Sequence, residues 1–470
     1  MRTWCAEHRA ADCEALCVFV GLAIALGLVA LACLLFAIDH DAGYALATGM
    51  AIHDGRLPYR DFFLNWPPGL AYLLAGLQAL SSSLWLARTL LLGVNLASAC
   101  LAGRIAASYA GRRAGAWAAL LCLLAILLLQ GFRLVNEPFM AFLLLLALWI
   151  GWVQRRRPLG ALISVLALWF KQPALVAVVA YLALLLWDAR GWQERVLVLS
   201  FALFAVAAPL ALLGSAGLGP AMLAQVVGAN LQTAAGRWWG MAEFGKQALS
   251  LLGSTGAFWV LCAAGIAEGL ASAEHRRGMV GLAGLALGSL LAVVLVPAPH
   301  YYVPAAAMGS IGAGMAMAKL VASLPQVRHR LSLVALILVP LLAQGAIPAL
   351  SVAKQGYLFR QMALGRLIAE NTRPDEPILV LTFNPGYYFL AHRYPPGPHF
   401  LLSVFVSDRP RVEEAMQMSL GKEVRIAVIV DQPYLEEVGA PVRSKIESCG
   451  ALLHVDDALR ARVWKVDSCR

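Results

Sequence analysis

The sequence predicts a polytopic α-helical membrane protein of about 11 membrane segments, N-terminus in and C-terminus out, with a small C-terminal extracytoplasmic α/β domain. Three observations carry that expectation. First, 60% of the 470 residues are apolar and 14% are charged, where a soluble globular domain carries roughly 25% charged residues; such a chain can neither coat a soluble particle nor stay disordered. Second, the apolar residues fall in long runs, several near the ~20 residues that cross a bilayer. Third, basic residues fill the short turns between those runs: Arg112-Arg113, Arg155-Arg156-Arg157, Arg276-Arg277 and Arg328-His329-Arg330. That is the positive-inside pattern. The formal net charge of +10 therefore reports orientation in a membrane; no basic-aromatic groove pattern suggests nucleic acid.

Taken in chain order, residues 1–17 are polar and mixed in charge, and residues 18–37 form a first span. That span exceeds a signal h-region and lacks a small-residue cleavage site, so it is expected to remain uncleaved. Residues 38–84 are too polar and Pro-rich for a simple span. Within them Leu46, Ala47 and Met50 share one helical face, which predicts a short helix between Gly43 and Asp54 lying on the membrane interface. Tyr59, Phe62, Phe63 and Trp66 suit the same depth. Further apolar stretches follow at about 86–108, 115–131, 139–153, 158–170, 173–187, 196–214, 248–268, 279–297, 303–322 and 331–350. With the N-terminus inside, the basic loops near 112, 155–157, 190–195, 276–277 and 328–330 all fall on the cytoplasmic face. The other face receives residues 38–84, the turn Arg133–Glu137, Lys171, residues 215–247, His300 and the tail.

That parity turns on residues 158–187. Thirty residues make about 45 Å of helix, enough for one tilted span or two short segments. One span would place Arg276-Arg277 and Arg328–Arg330 outside, and would bury Lys171 in lipid at high cost. Pro173 lacks an N–H and disfavours helix just before it. Two short segments meeting at Lys171-Gln172-Pro173 are predicted.

Two domains are expected, a membrane domain over 1–353 and an α/β domain over 354–470. The tail gains charge and prolines and carries short β-like runs at Ile378–Leu381, Val424–Val430, Leu452–Val455 and Arg462–Val466, with helical stretches at 357–370 and 411–419. Cys449 and Cys469 lie in it and can pair in an oxidising compartment. Gly309, Gly312 and Gly314 form no nucleotide loop; in a span they let helices approach closely.

The candidate functional residues gather on the outer face. Asp39, His40, Asp41 and Asp61 crowd one loop, and the parity gives them Glu137, Lys171 and His300-Tyr301-Tyr302 as company. Each has two readings on its own residue chemistry. Asp41 is a helix cap or a working carboxylate. Asp61 is the partner of Arg60 or Arg56, or part of a site. Lys171 is a snorkelling helix-end residue or a fixed cation. Glu137 is a solvated residue at a helix N-terminus or a positioning acid, and His300-Tyr301-Tyr302 is an aromatic belt or a ligand-binding segment. Ligand spacing supports no metal centre.

The run from Asp41 to Gly69, with Asp41, Gly43, Gly55, Pro58, Tyr59, Asp61 and Pro67-Pro68 in register, resembles the first-loop signature of the GT-C superfamily of membrane glycosyltransferases. More narrowly it is similar to the bacterial branch related to protein O-mannosyltransferases and lipid A aminoarabinose transferases. Asn136-Glu137-Pro138, Lys171-Gln172 and His300-Tyr301-Tyr302 with Pro304 fit the same pattern. The resemblance covers about residues 18–350. One position departs from it: many relatives carry an acid directly after the first Asp, where this chain has Ala42.

The resemblance implies transfer of a sugar from a polyprenyl-phosphate donor to a glycan, lipid or protein acceptor, with the enzyme a multi-pass protein of the bacterial plasma (inner) membrane. Asp41 then accepts or orients the acceptor's hydroxyl proton. Lys171, followed by Arg133 and Arg60, steadies the leaving phosphate, and His300, Tyr301 or Tyr302 binds phosphate or sugar. Asp39, Tyr59, Asp61 and Glu137 are supporting residues. A divalent metal is possible at Asp41 or His300. The rival functions are a transporter or lipid flippase and a non-catalytic relative that only binds polyprenyl lipid; a carrier should show ionisable residues near mid-bilayer and broken helices in paired halves.

Overall fold

In the computed structural model, residues 2–228, 231, 240–291, 298–324, 326–382, 384–400, 424–430 and 440–466 are described. The first half of the chain forms α1 (Arg2–Leu35), α2 (His40–His53), α3 (Gly69–Leu80), α4 (Leu84–Leu128), α5 (Asn136–Ala147), α6 (Arg157–Leu166), α7 (Ala174–Asp188) and α8 (Trp192–Ser215). Then come α9 (Gly219–Leu223), α10 (Gly240–Ala271), α11 (Arg276–Leu291), α12 (Val303–Ser323), α13 (Val327–Gln355), α14 (Tyr357–Glu370), α15 (Gly386–Ala391) and α16 (Ala440–Cys449). Four strands accompany the last helices: β1 (Ile378–Leu381), β2 (Ile426–Val430), β3 (Ala451–Asp456) and β4 (Ala461–Lys465).

Each of the eleven apolar stretches falls on a helix over its described residues; 292–297, the end of one of them, lie outside those residues. Among the described residues, six helical segments are long and apolar enough to cross a membrane, namely 15–35, 84–128, 136–153, 192–215, 299–323 and 329–347. The chain is a polytopic membrane protein. It divides into two units, one of residues 1–34, 88–212 and 239–353, the other of residues 35–87, 213–238 and 354–470. The first outer loop, expected inside the 1–353 domain, thus clusters with the tail.

In the first unit, α4 bends back at Ala110 and Gly111, whose φ of +81° lies where glycine is at ease. A Cβ on Gly115 would stand 2.7 Å from the Gly103 carbonyl oxygen, so the two arms touch backbone to backbone. Twelve residues of straight helix would hold those positions about 18 Å apart. The two expected stretches, 86–108 and 115–131, are the two arms of this hairpin. Arg88, buried in α4, donates to the Leu34 carbonyl at 2.6 Å and the Cys33 carbonyl at 3.3 Å. It supplies the last turn of α1 with a cation and the donors its free carbonyls need. Gly312 does let helices approach: its partner across the α10–α12 contact is Gly265.

The predicted break at residue 171 is present. A 3₁₀ turn (Ala167–Trp169) ends α6, and α7 starts after Pro173. Arg157, at the start of α6, ion-pairs with Asp188, the last residue of α7, and donates to Glu194 at 2.7 Å. The two ends of the segment meet, so it is a hairpin with Lys171 at its turn. Arg155 reaches Asp188 at 3.1 Å and Arg277 reaches it at 3.4 Å. Residues from three loops that the parity put on one face therefore share one ion-pair network. Arg157 is only 3% exposed, and breaking a buried network by removing one partner typically costs about 3–5 kcal/mol.

In the second unit, the strands lie in the order β1-β2-β4-β3, with β1 parallel to β2 and the other pairs antiparallel. All four β-like runs of the tail became strands, and α14 takes the expected 357–370. The stretch 411–419 lies outside the described residues. The β1 and β2 side chains are almost all buried, as a strand covered on both faces requires.

The helix expected on the membrane interface exists as α2, but its environment is different. Residues 42–51 are buried without interruption, around the whole helix circumference. Its run of Ala, Gly and Thr has little side-chain volume, which lets α3 and α15 close over it instead of leaving one face for lipid. Gly43 shows how close they come. A Cβ there would lie 2.5 Å from the Gly386 backbone nitrogen and 2.6 Å from the Asn384 side-chain oxygen. Because one obstacle is backbone, Gly43→Ala is expected to destabilise the chain by about 1–3 kcal/mol, read as a lower Tm of the purified protein; an unchanged Tm would show that the two segments separate freely.

Candidate functional site

The first outer loop is built around α2. Asp39 is the N-cap: its backbone is extended and its carboxylate accepts from the Ala42 N–H at 2.9 Å. This corrects the reading of Asp41 as the cap. Asp41 sits in the first helical turn with 19% of its side chain exposed, 3.3 Å from the His40 Nε2. The capping bond is made without it, and its carboxylate lies at the positive end of the helix dipole. Asp39, His40 and Asp41 offer one ligand atom each, all within 4.8 Å of one another. Two carboxylates and an imidazole are a donor set a divalent cation accepts, although Asp39 already spends one oxygen on the cap.

The second half of the loop motif is architectural. The Asp61 carboxylate accepts from the Leu57 N–H at 2.7 Å, while the Asp61 N–H donates to the Leu57 carbonyl at 2.9 Å. Arg60 donates to Asp61 at 2.8 and 3.0 Å, and its guanidinium, with the Leu57 N–H, holds the Asp61 carboxyl down at about 2. Of the two partners expected for Asp61, Arg60 is the one that pairs. Tyr59 adopts φ +68°, a genuine outlier for so bulky a residue. Three bonds fix it: its hydroxyl donates to the Trp66 carbonyl at 2.9 Å, its N–H to the Phe62 carbonyl at 3.0 Å, and its carbonyl accepts from Gln225 at 2.8 Å. The tail locks the turn from outside, through Arg56 stacked 3.4 Å over the Tyr394 ring and through the Tyr394 hydroxyl on Asp54.

The first unit holds the other candidates. Arg133, Glu137, Lys171, His300 and Tyr301 come together, although three separate segments supply them. Pro138 starts α5 well, since its missing N–H falls in a turn where no partner exists, and Glu137 takes the favourable acidic place beside it. Glu137 is 1% exposed and pairs with Lys171, itself 8% exposed. The Lys171 ammonium also lies 3.7 Å over the Tyr301 ring. His300 Nε2 is 3.9 Å from the Glu137 carboxylate, and His300 Nδ1 is 3.1 Å from an Arg133 guanidinium nitrogen. Arginine can only donate. A hydrogen bond between them therefore requires His300 Nδ1 to accept, which puts the ring proton on Nε2, facing the acid. Arg133 and Lys171 against Glu137 leave one net positive charge among these side chains.

The structure thus brings Arg133, Glu137, Lys171, His300 and Tyr301 into one cluster and places Asp39, Tyr59, Arg60, Asp61 and Asp41 around the first loop. Tyr302 follows Tyr301 in the 3₁₀ turn Pro299–Tyr302 and is half-buried. Sequence reasoning missed Gln225 as the residue that bridges Tyr59 and the Leu64 N–H; nothing local marks a glutamine more than 160 positions away.

No family model matches the sequence, and no curated protein sequence does. Solved structures do. ArnT from Cupriavidus metallidurans in the apo state superposes with a TM-score of 0.63 at 14% identity, over 96% of this chain and 98% of that one. ArnT from the same organism bound to undecaprenyl phosphate gives 0.63 at 15% identity, over 95% and 97%. The Archaeoglobus fulgidus oligosaccharyltransferase in complex with Zn and sulfate gives 0.52 at 14% identity, over 96% of this chain and 73% of that one. The chain shares the fold of these structures over nearly its whole length.

Proposed function

We propose that this GT-C-fold protein is a glycosyltransferase that moves a sugar from a polyprenyl-phosphate donor to a glycan, lipid or protein acceptor, on the outer face of the bacterial inner membrane. The observation that carries the reading is the buried Arg133–Glu137–Lys171–His300 cluster. Its net charge of one matches the single negative charge of a sugar–phosphate–lipid diester. A cation already desolvated and held in place stabilises a leaving phosphate without reorganising. The ArnT structure with undecaprenyl phosphate makes the lipid class concrete.

In this account an acceptor hydroxyl attacks the anomeric carbon while Asp41 takes its proton. The carbon–oxygen bond to phosphate breaks, and Lys171 and Arg133 receive the charge. A single displacement inverts the anomeric centre. Asp39 caps the helix that carries Asp41, and Tyr59 and Asp61 shape the loop behind it. Asp39, His40 and Asp41 are the residues that would hold a divalent ion, which would add electrostatic stabilisation of a developing negative charge. Cys449 is disulfide-bonded, which favours an oxidising compartment for the tail; Cys469, its expected partner, lies outside the described residues.

The test is a transfer assay in membranes with a panel of radiolabelled hexosyl and pentosyl undecaprenyl phosphates. Label should move from at least one donor into membrane or envelope material, and only when the protein is present. No transfer from any donor would shift the reading to a carrier or a lipid-binding relative.

A further inference from the structure

One oxygen in the cluster has no work to do. Glu137 gives its Oε1 to Lys171 and faces His300 with the same atom. Among the described residues its Oε2 has no hydrogen-bond donor, and neither has the Oδ1 of the adjacent Asn136, which is also 1% exposed. A buried carboxylate oxygen left unpaired is costly, more so than a neutral one, and native structures rarely leave such atoms orphaned without a reason.

The surroundings restrict which kind of group can meet Oε2. A metal cation would sit beside Arg133 and Lys171, which repel it. An anion would meet the carboxylate itself. A neutral donor, a hydroxyl or an amine, meets neither penalty. We infer that Glu137 Oε2 reads a hydroxyl or amino group of the sugar on the lipid donor, so that Glu137 sets which sugar the site accepts while its other oxygen holds Lys171 for the phosphate. This rests on the lipid-donor reading above. It adds a reason for specificity: a site built to hydrogen-bond a polar group rejects analogues that lack it far more strongly than an apolar pocket rejects a misfit.

The experiment compares binding of bare undecaprenyl phosphate with binding of hexosyl and pentosyl undecaprenyl phosphates to the purified full chain. Wild type is expected to prefer at least one glycosylated lipid over the bare one. Glu137→Gln, nearly the same shape, should lower the ratio of glycosylated-lipid to bare-lipid affinity by about 10- to 100-fold, the range of a hydrogen bond to a charged group; the ratio within one variant cancels the effect of the lost Lys171 pair on phosphate binding. Glu137→Asp, which keeps the charge for Lys171 but withdraws the oxygen, should weaken the preference in the same direction and serves if Glu137→Gln does not fold. A parallel loss for bare and glycosylated lipid would overturn the inference and leave Glu137 as the counter-ion of Lys171. So would a wild type with no preference. If wild type binds neither kind of lipid, the lipid-donor reading falls and this inference falls with it.

Discussion

Asp41→Asn is expected to lower sugar transfer by about 10²–10⁴-fold, the usual range for a positioned proton acceptor, with no loss of folding. The two halves of that expectation come from different atoms. The capping bond that starts α2 belongs to Asp39, so the helix keeps that bond when Asp41 becomes an amide. The amide has the same shape and cannot take a proton. Initial rates and Tm measured on the same preparation check both halves. Normal turnover by the variant would remove Asp41 from the mechanism. A collapse of Tm would make it structural after all.

Lys171→Ala is expected to fail twice, in stability and in donor use. Glu137 would remain as a buried carboxylate without its cation, a change that typically costs about 3–5 kcal/mol, and the leaving phosphate would lose its charge partner. These effects separate in the double variant Lys171→Met with Glu137→Gln, which removes both charges at similar volume. Its Tm should return towards wild type, since replacing a whole buried pair is often neutral, while transfer stays at least about 100-fold down. If Lys171 only marked the end of a helix, the double variant would be no less active than Glu137→Gln alone.

Much of the fold was legible because membrane helices declare themselves locally. Hydropathy located the helices, and the basic loops chose the hairpin at Lys171 over one tilted span. The ion pair between Arg157 and Asp188 shows why the two signals agree: both ends of that hairpin return to one charged layer. The strands of the tail were equally local, as short apolar runs between turn formers, richest in β-branched residues at β1 and β2.

What the sequence withheld are pairings across long distances. Ile38 exchanges hydrogen bonds with Gln361 at 2.8 and 2.9 Å, 323 positions away, and nothing near either residue signals it. The burial of α2 followed from the same blindness: small residues look like a weak amphipathic face until one knows that Gly386 lies against Gly43. Asp39 and Asp41 could not be told apart as caps, because a one-residue difference in the helix start decides which carboxylate meets a free N–H. Glu137, Lys171 and His300 were legible as candidates on a common face, but which atoms they shared and which oxygen they left free was not.

The most direct test of the account is a structure of the full chain with undecaprenyl phosphate bound. Phosphate oxygens should lie within hydrogen-bonding distance, about 2.7–3.2 Å, of the Lys171 ammonium or the Arg133 guanidinium. A phosphate held elsewhere, with neither cation within about 6 Å of it, would contradict the account at its base.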